Sequence, residues 1–345
     1  MGKTVKHRVG AKRIAKQAGV SIATVDRVLN ERPGVSPATV QKVLDAVSFL
    51  NEENVTRLSG DRTPQRLRVA VVVQSGTGFN SRLETIVQDF DALALDGAEV
   101  ELVPFFTTDY RSEPFIEQMM AARDDTDGML LVSQDTPVIR DTVSQFTASG
   151  YPIVCITTDL PGSGRQGYVA MDQYRAGRVA GTLIGRFTCR QQGEVLFIVS
   201  GNYRCQQERE IGFRQVLRES WPNLTISESL QSADSNETSY AETKAFLESG
   251  RKPLAIYNVS GGNLGIVKAL DECRSLPQRP VYICHELTTN VRRFLLEGKI
   301  DAVIDYDADQ TLRLGLKQLI AACGVNGSQP GSDTLPIQIC LADTV

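Results

Sequence analysis

The sequence predicts a small all-α helix-turn-helix head, a linker, and an α/β body of two doubly wound parallel-sheet lobes. Three observations predict it. Residues 11–50 carry apolar stripes at helical spacing, broken by turn residues. A polar, aperiodic stretch follows, interrupted by Pro64. From Leu67 onward, short apolar runs alternate with helix-length segments, the pattern of strands joined by right-handed crossovers.

The head is the densest signal. Ala11-Lys12-Arg13-Ile14-Ala15-Lys16-Gln17-Ala18-Gly19-Val20-Ser21 places small Ala15 where two helices can meet steeply. Gly19 then supplies a residue tolerant of positive φ for the turn. Ser21 is placed to cap the second helix, which buries Val25, Val28 and Leu29 on one face. Glu31-Arg32-Pro33-Gly34 is turn chemistry, and Ser36-Pro37 opens a third helix with cap and first-turn proline in order. Val40, Val43, Leu44, Val47 and Leu50 give that helix one apolar stripe. The predicted boundaries are 1–50 for the head and 51–66 for the linker. The body takes 67–345, with one lobe of about 67–160 and 307–334 and another of about 161–306 and 335–345.

In the body, the expected strands include Leu67–Val73, Val100–Phe106, Gly128–Val132, Ile153–Ile156, Gly167–Ala170 and Glu194–Val199. Thr225–Leu230, Ala255–Asn258, Val281–His285 and Ala302–Asp305 complete the set. About 280 residues exceed one five-stranded sheet, so two sheets side by side with a ligand gap between them are expected.

Composition bounds the function classes. The chain has 345 residues, 41% hydrophobic and 23% charged, ordinary for a globular protein. The net charge of −4 hides an asymmetry: residues 1–68 hold thirteen Lys/Arg against six acids, about +7, leaving about −11 elsewhere. A basic head on an acidic body suits a nucleic-acid reader joined to a part that stays off it. The seven cysteines form no CxxC pair and several lie in apolar runs, so reduced core thiols are expected. Two histidines, His7 and His285, provide no zinc spacing, and no metal or cofactor is expected. No apolar run suggests a signal peptide or a membrane span, which makes a cytoplasmic location the expectation.

These residues resemble the lactose-repressor/purine-repressor family of transcription regulators over essentially the full length. The resemblance is carried by Ile14 through Ser21, then Thr24-Val25-Asp26-Arg27-Val28-Leu29-Asn30, Val35-Ser36 and Thr39-Val40. It returns in Met171-Asp172, Ala176-Gly177-Arg178-Val179-Ala180-Gly181, Arg209 and Gly212-Phe213. Tyr257-Asn258-Val259-Ser260-Gly261-Gly262-Asn263-Leu264-Gly265 fits the sugar-binding branch better than the purine branch. The resemblance implies a sensor body of the type I periplasmic binding protein-like fold, a two-fold dimer on a pseudo-palindromic operator, and control by a small effector.

By that resemblance Ile22 and Ala23 face base edges and can meet thymine methyls, with Arg27 able to grip guanine O6 and N7. Ser21, Thr24, Asn30, Ser36 and Thr39 match positions that hold phosphates. Asp26 stands where the family carries serine; it either accepts from a cytosine amino group or packs against Arg27. The hinge lacks the family's proline-asparagine pair, and Leu58 is either a minor-groove wedge or part of a plain linker.

The sensor site is expected on loops at the carboxyl ends of strands. Phe79-Asn80 matches an aromatic-plus-amide position of sugar binders, and Asp135 and Asp159 follow strands. Motif position adds Gln207, Arg209, Asn258, Glu286, Tyr306 and Asp307. Glu286 matches an aspartate that accepts from two hydroxyls. Asp159 and Asp307 have a rival reading as strand-end or hinge residues, and Arg209 one as a salt-bridge partner of Glu208 or Glu210. Asp172 and Arg178 read as structural, and His285 as packed in its strand.

The expected effector is a sugar or polyol that closes the cleft and alters the spacing of the heads. A nucleobase or a phosphorylated sugar is the alternative. A nucleotide-dependent enzyme is more remote: Gly76-x-Gly78 is half a dinucleotide fingerprint with Ser81 in the third glycine's place, and no P-loop, GxSxG or HExxH motif appears. A transport-binding protein would need a signal peptide and no basic head. The C-terminal residues 337–345 carry no heptad tail, so the expected assembly is a homodimer.

Overall fold

The computed structural model describes residues 11–30, 32–56, 65–90, 94–227, 229–274 and 276–345. The head consists of α1 (Ala11–Ala18), α2 (Ile22–Leu29) and α3 (Pro37–Thr56). Gly19 turns the chain at φ 67, and the Val20 amide donates to the Ala15 carbonyl. Ile14, Ala15, Val25, Val43, Ala46 and Val47 form the small core. Leu44, expected in that stripe, is 41% exposed, and Ala46 takes its place. The linker expected from residue 51 begins instead as the last turns of α3, which runs to Thr56. Leu58 lies outside the described residues.

The first lobe begins with β1 (Gln65–Gln74), α4 (Thr77–Gln88), β2 (Ala94–Leu95), β3 (Ala98–Thr107), α5 (Ser112–Asp125) and β4 (Gly128–Val132). It continues through α6 (Pro137–Ala148), β5 (Ile153–Ile156) and β6 (Gly167–Met171). The second lobe holds α7 (Gln173–Phe187), β7 (Gly193–Val199), α8 (Arg204–Ser220), β8 (Leu224–Ile226) and β9 (Leu230–Gln231). After these come α9 (Asn236–Glu248), β10 (Ala255–Asn258), α10 (Asn263–Glu272), β11 (Val281–His285), α11 (Thr289–Leu296) and β12 (Ala302–Asp305). The chain returns to the first lobe for α12 (Ala308–Ala322) and β13 (Ser332–Leu335), then ends in the second with β14 (Gln338–Cys340).

The sheet orders are β13-β6-β5-β4-β1-β3-β2 and β14-β12-β11-β10-β7-β8. Pairing is parallel except at the rims, where β2–β3 and β12–β14 are antiparallel. Central β1 is buried on both faces from Val69 to Val73, which explains its unbroken apolar run. Strand β6 pairs with β5 and β13, so residues 167–171 belong to the first lobe, not to the second as expected from a break at 161. The first crossing comes after Met171, where Asp172 caps α7 by accepting from the Arg175 amide. Strands β13 and β14, too short to show alternation, went unread in the sequence, as did two-residue β2.

In each sheet the order reverses around one strand, β1 in the first and β7 in the second. The loops following these strands and their neighbours β4 and β10 therefore splay apart and face each other across the lobes.

Candidate functional site

The head presents its second helix. The Thr24 amide donates to Ser21 Oγ at 3.1 Å, and the two hydroxyls lie 2.8 Å apart. Ser36 repeats the device on α3, accepting from the Thr39 amide at 3.3 Å. Ile22, 46% exposed, stands out of the core with Ala23 and Arg27, while Val25 faces inward. An exposed isoleucine on the first turn of a short helix, with Arg27 one turn on, suits a base-reading surface. Asp26 follows neither of its two expected roles: its carboxylate accepts from Asn30 Nδ2 at 2.7 Å and from Arg32 Nη1 at 3.0 Å. Asn30 is corrected with it. Its amide nitrogen also donates to the Asp26 carbonyl at 3.0 Å, so both amide hydrogens are engaged within the head.

Replacing Arg27 by alanine is expected to weaken binding to a preferred duplex by ~1–3 kcal/mol and to relax preference at one base pair. Equal loss on preferred and on random duplex, in fluorescence anisotropy titrations, would assign Arg27 to phosphate instead.

The two lobes close on each other. Asp135 N donates to the Asn202 carbonyl and Asn202 Nδ2 returns a bond to the Asp135 carbonyl, each at 2.7 Å. Tyr203 OH donates to the Gln74 carbonyl at 2.7 Å, and Tyr110 OH donates to Asp234 Oδ2. Gly76 is needed at this seam, because a Cβ there would come 2.5 Å from Asp234 Cβ.

Inside the closed cleft sit Arg209 and Glu286. Arg209 is 1% exposed; its Nε donates to Gln173 Oε1 at 2.8 Å and its Nη1 to the Val259 carbonyl at 3.1 Å. Its Nη2 has no partner. The salt-bridge alternative does not occur, since Glu208 pairs with Arg204 and Glu210 with Arg214. Glu286 follows β11 at φ 66, matched by Thr157 after β5 at φ 65, so one left-handed turn ends the corresponding strand of each lobe. Among the described residues no hydrogen bond or ion pair reaches the Glu286 carboxyl. Burial pushes that carboxyl up to about 7 from 4.5; Arg209 and Arg82 pull it down, and Asp234 and Asp305 push it up.

Other expected residues divide. Asn80 is buried, with Nδ2 on the Ser75 and Thr107 carbonyls and Oδ1 unpartnered. Phe79 packs into the core under the cleft. Tyr306 OH lies 3.0 Å from Thr157 Oγ1, joining the crossing segment to the first lobe. Asp135 stays at the seam, 2.7 Å from Arg140 Nε.

Four expectations are corrected. Asp159 is paired with Arg165 and accepts from the Leu160 amide. Asp307 is exposed and caps α12 through the Gln310 amide. Gln207 holds Asn202 Oδ1 at 2.5 Å. Asn258 uses its whole amide within its own loop, accepting from Ser260 and donating to Gly261 and Asn263. Short polar side chains at strand ends are drawn to nearby backbone donors before any ligand arrives. Asp172, Arg178 and His285 keep their expected roles: a cap, an ion pair with Glu219 at 2.8 Å, and a buried ring bonded to Tyr257.

Sequence reading missed Arg82, which forks onto Asp305 at 2.7 and 3.1 Å and donates to the Tyr306 carbonyl. It also missed Gln74, Tyr110, Tyr203 and Asp234. Gln74 ends a strand and could have been found by that position; Asp234 lies in a loop with no pattern.

A helix-turn-helix head on a two-lobed, doubly wound body with a polar cleft defines a DNA-binding regulator with a solute-binding body. The chain belongs to the periplasmic binding protein domain family, matched over residues 69–327, and its head matches the lacI family of bacterial regulatory proteins over residues 12–51. A search of curated proteins finds no match to the sequence. Among solved structures, one similar fold is an ABC transporter solute-binding protein from Bacillus halodurans C-125 with bound myo-inositol. It is 16% identical at TM-score 0.68, covering 83% of this chain and 97% of that one. A glucose-galactose binding protein from Geobacillus stearothermophilus is 18% identical at TM-score 0.70, covering 81% and 98%. A solute-binding protein from Burkholderia graminis C4D1M in complex with D-arabinose is 17% identical at TM-score 0.68, covering 83% and 98%.

Proposed function

We propose that the protein is a transcription regulator, not an enzyme, whose operator affinity is set by a neutral sugar or polyol bound between the lobes. The carrying observation is a pair in the closed cleft: a Glu286 carboxyl that no hydrogen bond or ion pair reaches among the described residues, and the free Nη2 edge of Arg209. Vicinal hydroxyls donate to the first and accept from the second. The solved structures named above hold or are named for such solutes, and the chemistry agrees. A phosphorylated sugar fits less well, because Arg82 is engaged by Asp305 while Glu286 and Asp234 would face the phosphate. A nucleobase fits less well: Arg82 lies over one face of the Tyr306 ring, and Tyr110 and Tyr203 pack edge to face with each other.

The proposed location is the cytoplasm, on the nucleoid. The test is a thermal-shift screen of the full chain against sugars, polyols, sugar phosphates and nucleobases, followed by operator selection with and without each hit. Stabilisation by sugar phosphates or nucleobases alone would overturn the sugar reading.

Proton linkage gives a second check. The Glu286 carboxyl, at about 7 in the fold against 4.5 ordinarily, keeps its proton after the unfolded chain has released it. The ligand-free body is expected to lose stability as pH rises through that window and to level off above it. Ligand hydroxyls need the ionised carboxylate, so binding near pH ~6 releases a proton and affinity rises towards neutrality. Calorimetry in two buffers of different ionisation enthalpy measures that proton; none released would remove Glu286 from the site.

Two copies of the 37.8 kDa chain are proposed to read a pseudo-palindromic operator, because one head contacts too few base pairs for specificity. Light scattering at micromolar concentration is expected to show the dimer mass. A monomer that persists with operator present would defeat this.

A further inference from the structure

We infer that Asp26 is a positioning residue for DNA binding, mounting Arg32 as the phosphate contact that Asn30 does not make. The inference rests on α2 being the helix that reads bases. An acid next to Arg27 on that helix would by itself repel the polyanion. In this head its carboxylate is instead shared: Oδ1 takes Asn30 Nδ2 at 2.7 Å and Oδ2 takes Arg32 Nη1 at 3.0 Å.

The backbone reinforces the arrangement. Arg32 N donates to the Arg27 carbonyl at 2.7 Å, folding the chain back along the end of α2. Arg32 thus lies in the loop between Asn30 and the capping Ser36, beside the exposed flank of the reading helix. Its side chain is 62% exposed, and only one of its five N–H groups is used by Asp26. The Asn30 amide, whose two hydrogens are both held by Asp26, cannot donate to a phosphate without breaking this mount. The pair converts an acid on the DNA face into a support for a planar cation suited to phosphate oxygens.

The test is a mutant cycle in the full-length protein, titrated against an operator duplex selected from a random pool and against a random duplex of equal length. Arg32→Ala is expected to weaken operator binding about fivefold and to reduce the salt slope by about one. Asp26→Ala is expected to weaken binding about threefold in the wild-type background, although it removes a negative charge. In the Arg32→Ala background the same change should strengthen binding, because only the repulsion remains to be lost. Strengthening in both backgrounds would make Asp26 a plain repulsive acid and overturn the inference. Equal weakening in both would assign it to helix stability and also overturn it. Circular-dichroism melting checks the fold; if Asp26→Ala melts the head, Asp26→Asn, which keeps an acceptor for Asn30, is read in its place. Should the wild-type protein not prefer operator over the random duplex, the reading of α2 fails rather than the role of Asp26.

Discussion

Glu286→Ala is expected to abolish the response of operator binding to whichever sugar or polyol stabilises the wild-type protein. Losing a charge-assisted acceptor for ligand hydroxyls costs about 3 kcal/mol in a closed cleft, or at least about a hundredfold in effector affinity. Ligand-free operator affinity should stay within about threefold of wild type, because an effector acts only through its differential affinity for the two body conformations. The ligand-free variant should also melt no lower than wild type above neutral pH. Burial raises the Glu286 pKa, so ionising this carboxyl in the closed cleft is unfavourable, and its removal relieves that penalty. Operator binding titrated against effector checks the first expectation, and calorimetric melting at two pH values the second. A variant that still answers the effector at wild-type concentration would place the site elsewhere.

Gly177→Ala is expected to destabilise the second lobe strongly. Gly177 on α7 and Gly212 on α8 let the two backbones touch: a Cβ on the first would overlap the Arg209 carbonyl, and one on the second the Tyr174 carbonyl. Backbone cannot rotate aside as a side chain can, so the helices must separate, at about 3 kcal/mol. Because α8 carries Arg209 into the cleft, effector affinity should fall with stability. Gly331→Ala is the control, since its Cβ would meet nothing nearer than 3.9 Å. Thermal melting of both variants, with and without effector, measures the difference. A Gly177→Ala protein that melts like the control would show that the helices have room to spare.

The same pair of glycines marks how far the sequence could be read. Ala176-Gly177 and Gly212-Phe213 were visible as part of a family pattern, but their meaning, one helix pressed on another to fix Arg209, required both helices in place. Periodicity located α2, its Ser21 cap and the buried Val25, because caps and stripes are set by neighbours three and four residues away. It located Gly128–Val132, Ile153–Ile156, Ala255–Asn258 and Val281–His285 to the residue, because strands buried on both faces are written as unbroken apolar runs.

The cleft was half legible. Arg209, Glu286 and Asn80 were expected there from motif position; Arg209 and Asn80 keep an unpartnered polar atom, and among the described residues no hydrogen bond or ion pair reaches the Glu286 carboxyl. Asp159, Asp307 and Asn258 stood at equally plausible positions and proved to be engaged by their own loops. Nothing local separates the two groups, since the competing donors of Asp159 and Asn258 differ only in how each loop folds. Arg82 and Asp305, more than two hundred residues apart, meet only where the end of β12, at the second crossing, comes against α4. What the sequence determined by itself was each short-range preference: helix, cap, turn, buried strand and the basic head. The tertiary structure alone decided what meets in the cleft, because Arg209 on Gln173 and Val259, and Arg82 on Asp305, are held by partners that the chain brings together from a distance.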